Sequence, residues 1–199
     1  MRDYENICNY IHLPLQAGSD RILNRMNRTY TKSEFLLLVD IIRKYLPDCA
    51  ISTDIIVGFP GETEEEFEET LQVMNDIVFD RAFMFKYSSR PGTKAAEYTD
   101  QINEEIKQDR LERLIDLQHS HTLKANQRHI GKVLTVLIEK ESKKSDMQWS
   151  GRTEGNMGVI FNKGDEKMKD IVDILITDAQ GVSLFGNRVL DKELIHEVN

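Results

Sequence analysis

The chain has 199 residues, 40% of them hydrophobic and 30% charged, with a formal net charge of −8. That is enough for one ordinary domain plus a small one. No apolar run approaches the ~18 residues of a membrane span, the acidic balance argues against a surface coated in nucleic acid, and two cysteines, Cys8 and Cys49, are too few for a disulfide framework or a Cys-rich metal centre. Both read as ordinary buried thiols in strands. The start, MRDYENICNYIHLPLQ, lacks the basic-then-apolar layout of a secretion signal, so the expected compartment is the cytoplasm.

In chain order, CNYIHLPLQAG reads as a buried strand broken at Gly18, and a short helical stretch follows at 20–27. TKSEFLLLVDIIRKYLP opens with a capping box, Thr31 and Glu34. Its apolar residues Phe35, Leu38, Val39 and Ile42 recur at helical spacing, and Pro47 lies past its end. CAISTDIIVGF is the next strand. Thr63 and Glu66 form a second capping box, followed on one face by Phe67, Leu71, Met74 and Val78. DRAFMFKYS is a third strand. Residues 103 to about 129 make a long helix whose apolar face is clearest at Ile106, Leu111, Leu114, Ile115 and Leu117. Three strand–helix repeats imply parallel βα units, too few to close an eight-stranded barrel by themselves. After Gly131 the pattern becomes β-rich, and about five short strands predict a compact barrel. The expected domains are 1–130 and 131–199.

Ligand sites in parallel sheets form at the carboxyl ends of the strands. Gln16, Gly18, Ser19 and Asp20 follow the first strand. Asp54, Gly58, Pro60, Gly61 and Glu62 lie in and after the second, and Tyr87, Ser88, Arg90 and Gly92 after the third. A carboxylate within an apolar strand is costly without a partner, so Asp54 is expected to face a ligand cavity, to cap a neighbouring backbone or to pair with an arginine. Gly58 and Gly61 allow close backbone approach to a ligand or simply make the turn. His12 reads first as a satisfied core or rim histidine, and His119, His121 and His129 as solvated helix residues. Between Lys124 and Arg152 seven Lys/Arg face three acids, a local +4 able to bind phosphate. Trp149 either stacks on a base or fills its own barrel.

HLPLQAGSDRILNRMNRTYT, STDIIVGFPGETEEEFEETL and FMFKYSSRPGTKAA together resemble the methylthiotransferase family of radical S-adenosylmethionine (SAM) enzymes, and residues from about 131 to 195 resemble its RNA-binding TRAM domain. GRTEGNMGVIF is similar to the MiaB-type tRNA branch. The resemblance implies a fold class of α/β, the parallel-sheet part of a partial TIM-like barrel followed by a small all-β TRAM barrel. It also implies a fragment of a transferase that methylthiolates C2 of N6-isopentenyladenosine beside the tRNA anticodon. The full enzyme uses SAM and two [4Fe–4S] clusters. Cys8 and Cys49, 41 positions apart, match no cluster motif, so neither metal binding nor activity of this fragment alone is expected, and no cofactor bound tightly to it. The implied partners are a tRNA anticodon stem-loop and the N-terminal half of the same enzyme, with no membrane. The implied cofactor-binding residues are Gln16, Ser19, Arg28, Asp54, Gly58, Glu62 and Tyr87. The implied RNA-binding residues are Lys132, Lys143, Lys144, Trp149, Arg152 and Asn156. The alternatives are a fragment of a ribosomal-protein aspartate methylthiotransferase and a non-catalytic RNA-binding module.

Overall fold

The structure, a computed structural model, describes residues 1, 3–4 and 6–189. They form two compact units, Ile11–His121 and a second from Thr122 onward that includes Asp3–Tyr10.

The first unit is built on a three-stranded sheet in the order β1 (Tyr10–His12), β2 (Ala50–Val57), β3 (Arg81–Lys86). β2 and β3 run parallel, with Asp54 opposite Phe83 and Ile56 opposite Phe85. The first strand is shorter than expected. Beyond His12 the pairing continues only through the Leu13 amide on the Ser52 carbonyl and an isolated parallel bridge, Gln16 to Ile55, and Pro14 has no amide to donate. Four α-helices accompany the sheet: α1 (Asp20–Arg25), α2 (Lys32–Tyr45), α3 (Glu64–Ile77) and α4 (Glu104–Gln127). Alternation along β2 sends Ile51, Ile55 and Val57 into a core with Phe35, Phe67, Met74, Phe79 and Leu114, and sends Ser52, Asp54 and Ile56 to the other face. Leu38 departs from the expected stripe of α2: it is exposed, as are Leu37, Ile41 and Tyr45.

Both expected capping boxes form. The second does more than start α3. The Glu66 carboxylate accepts from the Thr63 amide (2.9 Å), the Ser19 hydroxyl (3.0 Å) and both the Nε (2.6 Å) and Nη2 (2.5 Å) of Arg21. One side chain therefore fixes the loop after β1 to the start of α3. Gly18 completes the junction. Its amide donates to the Thr70 hydroxyl, and a Cβ there would meet the Thr70 Cα at 2.5 Å.

α4 buries a polar stripe. Lys107, Arg110 and Gln118 are as buried as Leu114 is expected to be, whereas Ile106 is exposed and Leu111 and Leu117 only flank the core. Each buried polar group has a partner. Arg110 pairs with Glu62 (2.8 Å), Gln118 donates to the Phe79 carbonyl (2.9 Å) and the Lys107 ammonium meets Glu104 (2.7 Å).

The second unit contains a closed five-stranded barrel, as the spacing of short strands predicts. Its strands are β4 (Val133–Ser142), β5 (Ser145–Thr153), β6 (Gly158–Asn162), β7 (Ile171–Gln180) and β8 (Ser183–Arg188), closed in the order β4-β5-β6-β8-β7. Val136, Ile138, Val159, Phe161, Ile174, Ile176 and Leu184 fill it. Neither cysteine lies in a strand. Cys49 is buried just ahead of β2, and Cys8 is exposed, which corrects the expectation of two buried thiols. Among the described residues no helix is long and apolar enough to cross a membrane.

The Arg21 hydrogen bonds hold the Glu66 carboxyl at about 2, well below its ordinary 4.5. A depressed carboxyl stabilises the fold fully above its unfolded value and loses that stabilisation as pH falls from about 4.5 towards 2. Glu66→Gln is expected to cost about 2 kcal/mol at pH 7, read as urea midpoint by helical circular dichroism. The gap from wild type should shrink steadily as pH is lowered through that window. A gap independent of pH would remove Glu66 from this role.

Candidate functional site

The sheet's two faces differ in kind. One is covered by helices. The other carries His12, Asp54, Ile56, Phe83 and Phe85, and there Phe83 and Phe85 are 46% and 52% exposed. Asp54 stands on this open face with 30% of its side chain exposed, and its carboxylate meets His12 Nε2 at 3.4 Å. The partner of the strand carboxylate is thus a histidine, not an arginine or a backbone amide. His12 Nδ1 lies 2.8 Å from the buried Ser52 hydroxyl. With Asp54 as acceptor, Nε2 carries the ring proton, and in the neutral ring Nδ1 accepts from Ser52. The His12 ring meets Phe83 edge-on at 5.9 Å.

The residues expected at the cofactor site divide into three sets. Gln16 and Arg28 come together, the guanidinium donating to Gln16 Oε1 (3.0 Å). Gln16 is buried and holds a left-handed backbone, φ 70°, an uncommon conformation for a residue with a Cβ. Arg28 is exposed. Ser19 and Glu62 are engaged within the fold, Ser19 on Glu66 and Glu62 between the Gly58 amide (2.6 Å) and Arg110. Burial pushes the Glu62 carboxyl up, against the opposing pull of the Gly58 amide and Arg110. Gly58 itself has φ +70°, and a Cβ there would strike the Lys107 stem at 2.3 Å, so glycine is required twice over. Tyr87 packs edge-on against Phe59 at 5.0 Å, beneath the Lys107 ammonium at 5.6 Å. Its hydroxyl is buried with no hydrogen-bond partner among the described residues, a donor and acceptor left for a ligand. Residues 58–62, with Tyr87 and Lys107, make a turn whose shape depends on a buried ion pair. Lys107, Arg110 and His12 are the members that sequence reading passed over. The two cations sit on a helix face that reads as solvated, and His12 reads as a satisfied core or rim histidine, with no sign in the sequence of its partners Ser52 and Asp54.

In the barrel, Lys143 and Lys144 are the two-residue turn between β4 and β5, and both are exposed. Lys132 is exposed as well. Arg152 and Asn156 clasp each other: Arg152 Nη1 donates to the Asn156 carbonyl and side-chain oxygen, both at 2.9 Å, while its Nε lies 3.3 Å from Glu139. Trp149 packs on the barrel core with Lys163 over its ring at 4.4 Å, and its indole N–H is buried without a partner among the described residues. Lys163 also pairs with Glu141. Among the described residues no three His, Cys, Asp or Glu are grouped so as to hold a metal ion. Cys49 is buried and its thiol pushed up by desolvation, the reverse of what a thiolate ligand needs.

Residues 1–74 match the Radical SAM superfamily and residues 127–189 the TRAM domain. Over 190 residues the chain is 47% identical to a protein named tRNA-2-methylthio-N(6)-dimethylallyladenosine synthase from Christiangramia forsetii, covering 95% of this chain and 40% of that protein. Proteins of the same name from Porphyromonas gingivalis (49% identical, 95% of this chain, 41% of the relative) and Caldicellulosiruptor saccharolyticus (48%, 94% and 39%) are similar throughout. The chain therefore spans about two fifths of the length of these relatives. Among solved structures it resembles coproporphyrinogen III oxidase (HemN) from Escherichia coli, a radical SAM enzyme, with a TM-score of 0.50 over 73% of this chain and 41% of that one. At 17% identity this is a likeness of fold alone.

The turn at 58–62 makes a direct demand on Arg110. Arg110→Ala strands the buried Glu62 carboxylate and is expected to cost about 3 kcal/mol or more. The double change Glu62→Gln with Arg110→Met should recover most of that loss. Trp149, the one tryptophan, lies in the barrel, so its emission should report an unchanged barrel transition while helical circular dichroism reports the loss.

Proposed function

We propose that the chain is the substrate-gripping part of a tRNA methylthiotransferase, on the match of its residues 1–74 to the Radical SAM superfamily and of residues 127–189 to the TRAM domain. The observation that carries this is the identity of 47–49% running through both regions over nearly the whole chain, to proteins named for that reaction. The reaction so proposed places a methylthio group on C2 of an N6-isopentenyladenosine beside the anticodon. Its expected compartment is the cytoplasm.

The cofactor chemistry divides. SAM, when bound, supplies the radical and the methyl group, and the residues present suit part of its site. The exposed Arg28 guanidinium, held against Gln16, can take a carboxylate. The unpartnered Tyr87 hydroxyl can bond a ribose or adenine group. The turn at Gly58 lets backbone come close. Asp54 and Ser19 stand in the same reading as contacts to hydroxyl or amine groups, Ser19 by sharing its hydroxyl with Glu66. Iron–sulfur clusters do not fit. One exposed and one buried cysteine supply no close set of thiolates, so cluster ligands belong to the remaining part of the enzyme, the proposed N-terminal partner, and the isolated chain is proposed to be inactive.

The barrel's part is the tRNA. Lys132, Lys143 and Lys144 present exposed ammonium groups to a phosphate backbone without reading sequence. Arg152 and Asn156 shape the adjoining turn and can offer their remaining donors, with Trp149 contributing from beneath Lys163. The ribosomal-protein reading predicts no such salt-dependent RNA grip.

Lys143→Glu with Lys144→Glu changes only an exposed turn. It is expected to weaken binding of an anticodon stem-loop hairpin by this chain and to lower the slope of log affinity against log salt by about 1–2. Fluorescence anisotropy at four salt concentrations measures both. An unchanged affinity and slope would take the tRNA grip away from this turn.

A further inference from the structure

Gly61 is held more closely than a turn glycine needs to be. Its amide donates to the Asp100 carbonyl (2.8 Å), and its own carbonyl accepts from Arg21 Nη2. Its φ is +77°, and a Cβ there would strike the Asp100 carboxylate and crowd Arg25 Cζ at 3.3 Å. Both peptide groups flanking Gly61 are therefore fixed. Arg21 and Arg25 stand one turn apart on α1 and so share a face, and Arg25 grips the far side. Its Nη2 lies 2.8 and 2.9 Å from the two Asp100 carboxylate oxygens, and its guanidinium lies over the Tyr98 ring at 4.4 Å. Tyr98 in turn meets the Phe59 ring edge-on at 6.4 Å. Tyr98 and Asp100 follow a single helical turn, Lys94–Glu97. Gln101 Nε2 closes this strap on itself, donating to the Ala95 (3.0 Å) and Tyr98 (2.8 Å) carbonyls. Phe59, Ala17, Ile22 and Leu23 form a second small core, with Ala95 and Tyr98 packed against it.

We infer that Arg25 and Asp100 are positioning residues for the turn at 58–62: the pair clamps the strap to α1, and the strap holds Gly61 and Phe59 so that the turn keeps the shape it presents to an adenosyl ligand. The inference rests on the proposed function for what the turn binds. Folding alone does not account for the pair. Its side chains are 27% and 47% exposed, and ion pairs so placed contribute little to stability. Yet Arg25 keeps its Nε buried with no hydrogen-bond partner among the described residues, a cost that an arginine turned out to water avoids. What the arginine gains in that position is its hold on Asp100. Asp100 passes that hold on through its own backbone, because the carbonyl that fixes the Gly61 amide belongs to the same residue as the carboxylate that Arg25 fixes. The turn thus has two unlike walls. One is the buried pair of Glu62 with Arg110, and the other is a clamp within reach of solvent and salt.

The test titrates the isotopically labelled 199-residue chain with adenosine, an uncharged probe, and follows backbone amide shifts. Wild type is compared with Asp100→Ala, Arg25→Met and the double variant. Wild type should give saturable shifts at residues 58, 59, 61 and 87. Each single variant should lose about five- to tenfold in affinity, the loss expected when the competent turn shape falls to between about a fifth and a tenth of the population. The double variant should lose no more than either single one, because both break the same contact. The Gly61 amide should exchange faster by a similar factor while the urea midpoint moves little. Unchanged adenosine affinity in the variants would overturn the inference, even with faster Gly61 exchange, by reducing the clamp to a structural contact. The proposed function would then stand. Losses that add in the double variant would overturn it as well, by making the two residues independent. Should Arg25→Met fail to fold, Asp100→Ala, which removes only a half-exposed carboxylate, decides alone. Wild type without saturable shifts at the turn at millimolar adenosine would overturn the inference together with the adenosyl part of the proposed function, and would leave the RNA grip standing.

Discussion

The Glu66 carboxylate accepts four hydrogen bonds from three places in the chain: the loop at Ser19, helix α1 at Arg21 and its own helix start at Thr63. Everything at the carboxyl rim of the sheet is hung from that junction. Gln16 and Gly18 lie in the loop it holds. The turn at 58–62 runs into the helix it caps, and Arg21 adds a bond to the Gly61 carbonyl. A second buried carboxylate, Glu62, repeats the device one turn earlier with Arg110. Two acid–arginine pairs thus do at the rim what apolar packing does deeper down, and they leave the loop backbone rigid where a ligand must meet it.

Much of this architecture is legible in the sequence because it rests on local rules. Thr31/Glu34 and Thr63/Glu66 announce their helices by spacing alone. The five strands of the barrel show as short alternating runs between turn residues. The sequence is silent where a decision is made at long range. α4 buries Arg110 and Gln118 because Glu62 and the Phe79 carbonyl wait for them, and it lays Lys107, paired with Glu104 of its own helix, over the Tyr87 ring; no window on the helix contains Glu62, Phe79 or Tyr87. His12 and Asp54 are 42 positions apart, so an isolated strand carboxylate suggests a cavity without disclosing its neighbour. Arg152 reads as a free phosphate ligand until the left-handed turn at Asn156, φ 61°, folds an amide oxygen back onto it. The stripe on α2 misleads in another way. Leu37, Leu38, Ile41 and Tyr45 repeat at a helical period yet face outward, because the face that meets the core is made by Phe35 and Val39 with Leu36 and Ile42 beside them.

β2 shows how a single strand serves two purposes. Its odd-numbered residues belong to the most tightly excluded part of the molecule, and its even-numbered ones carry the chemistry. A slip of one residue would exchange the two sets. The bonds that prevent it lie on both neighbours, from the Leu13 amide to the Ser52 carbonyl and from the Tyr87 amide to the Val57 carbonyl, both at 2.8 Å.

β3 has a paired side, towards β2, and an opposite edge with no strand against it among the described residues. Four consecutive apolar residues, Ala82 to Phe85, would make that edge an inviting template for another chain. Arg81 and Lys86 stand at its two ends. Charges so placed are how natural sheets discourage strand-by-strand stacking into aggregates. Arg81 and Lys86 flank the apolar middle of β3, so it is the ends of the strand, not its middle, that oppose pairing with another chain.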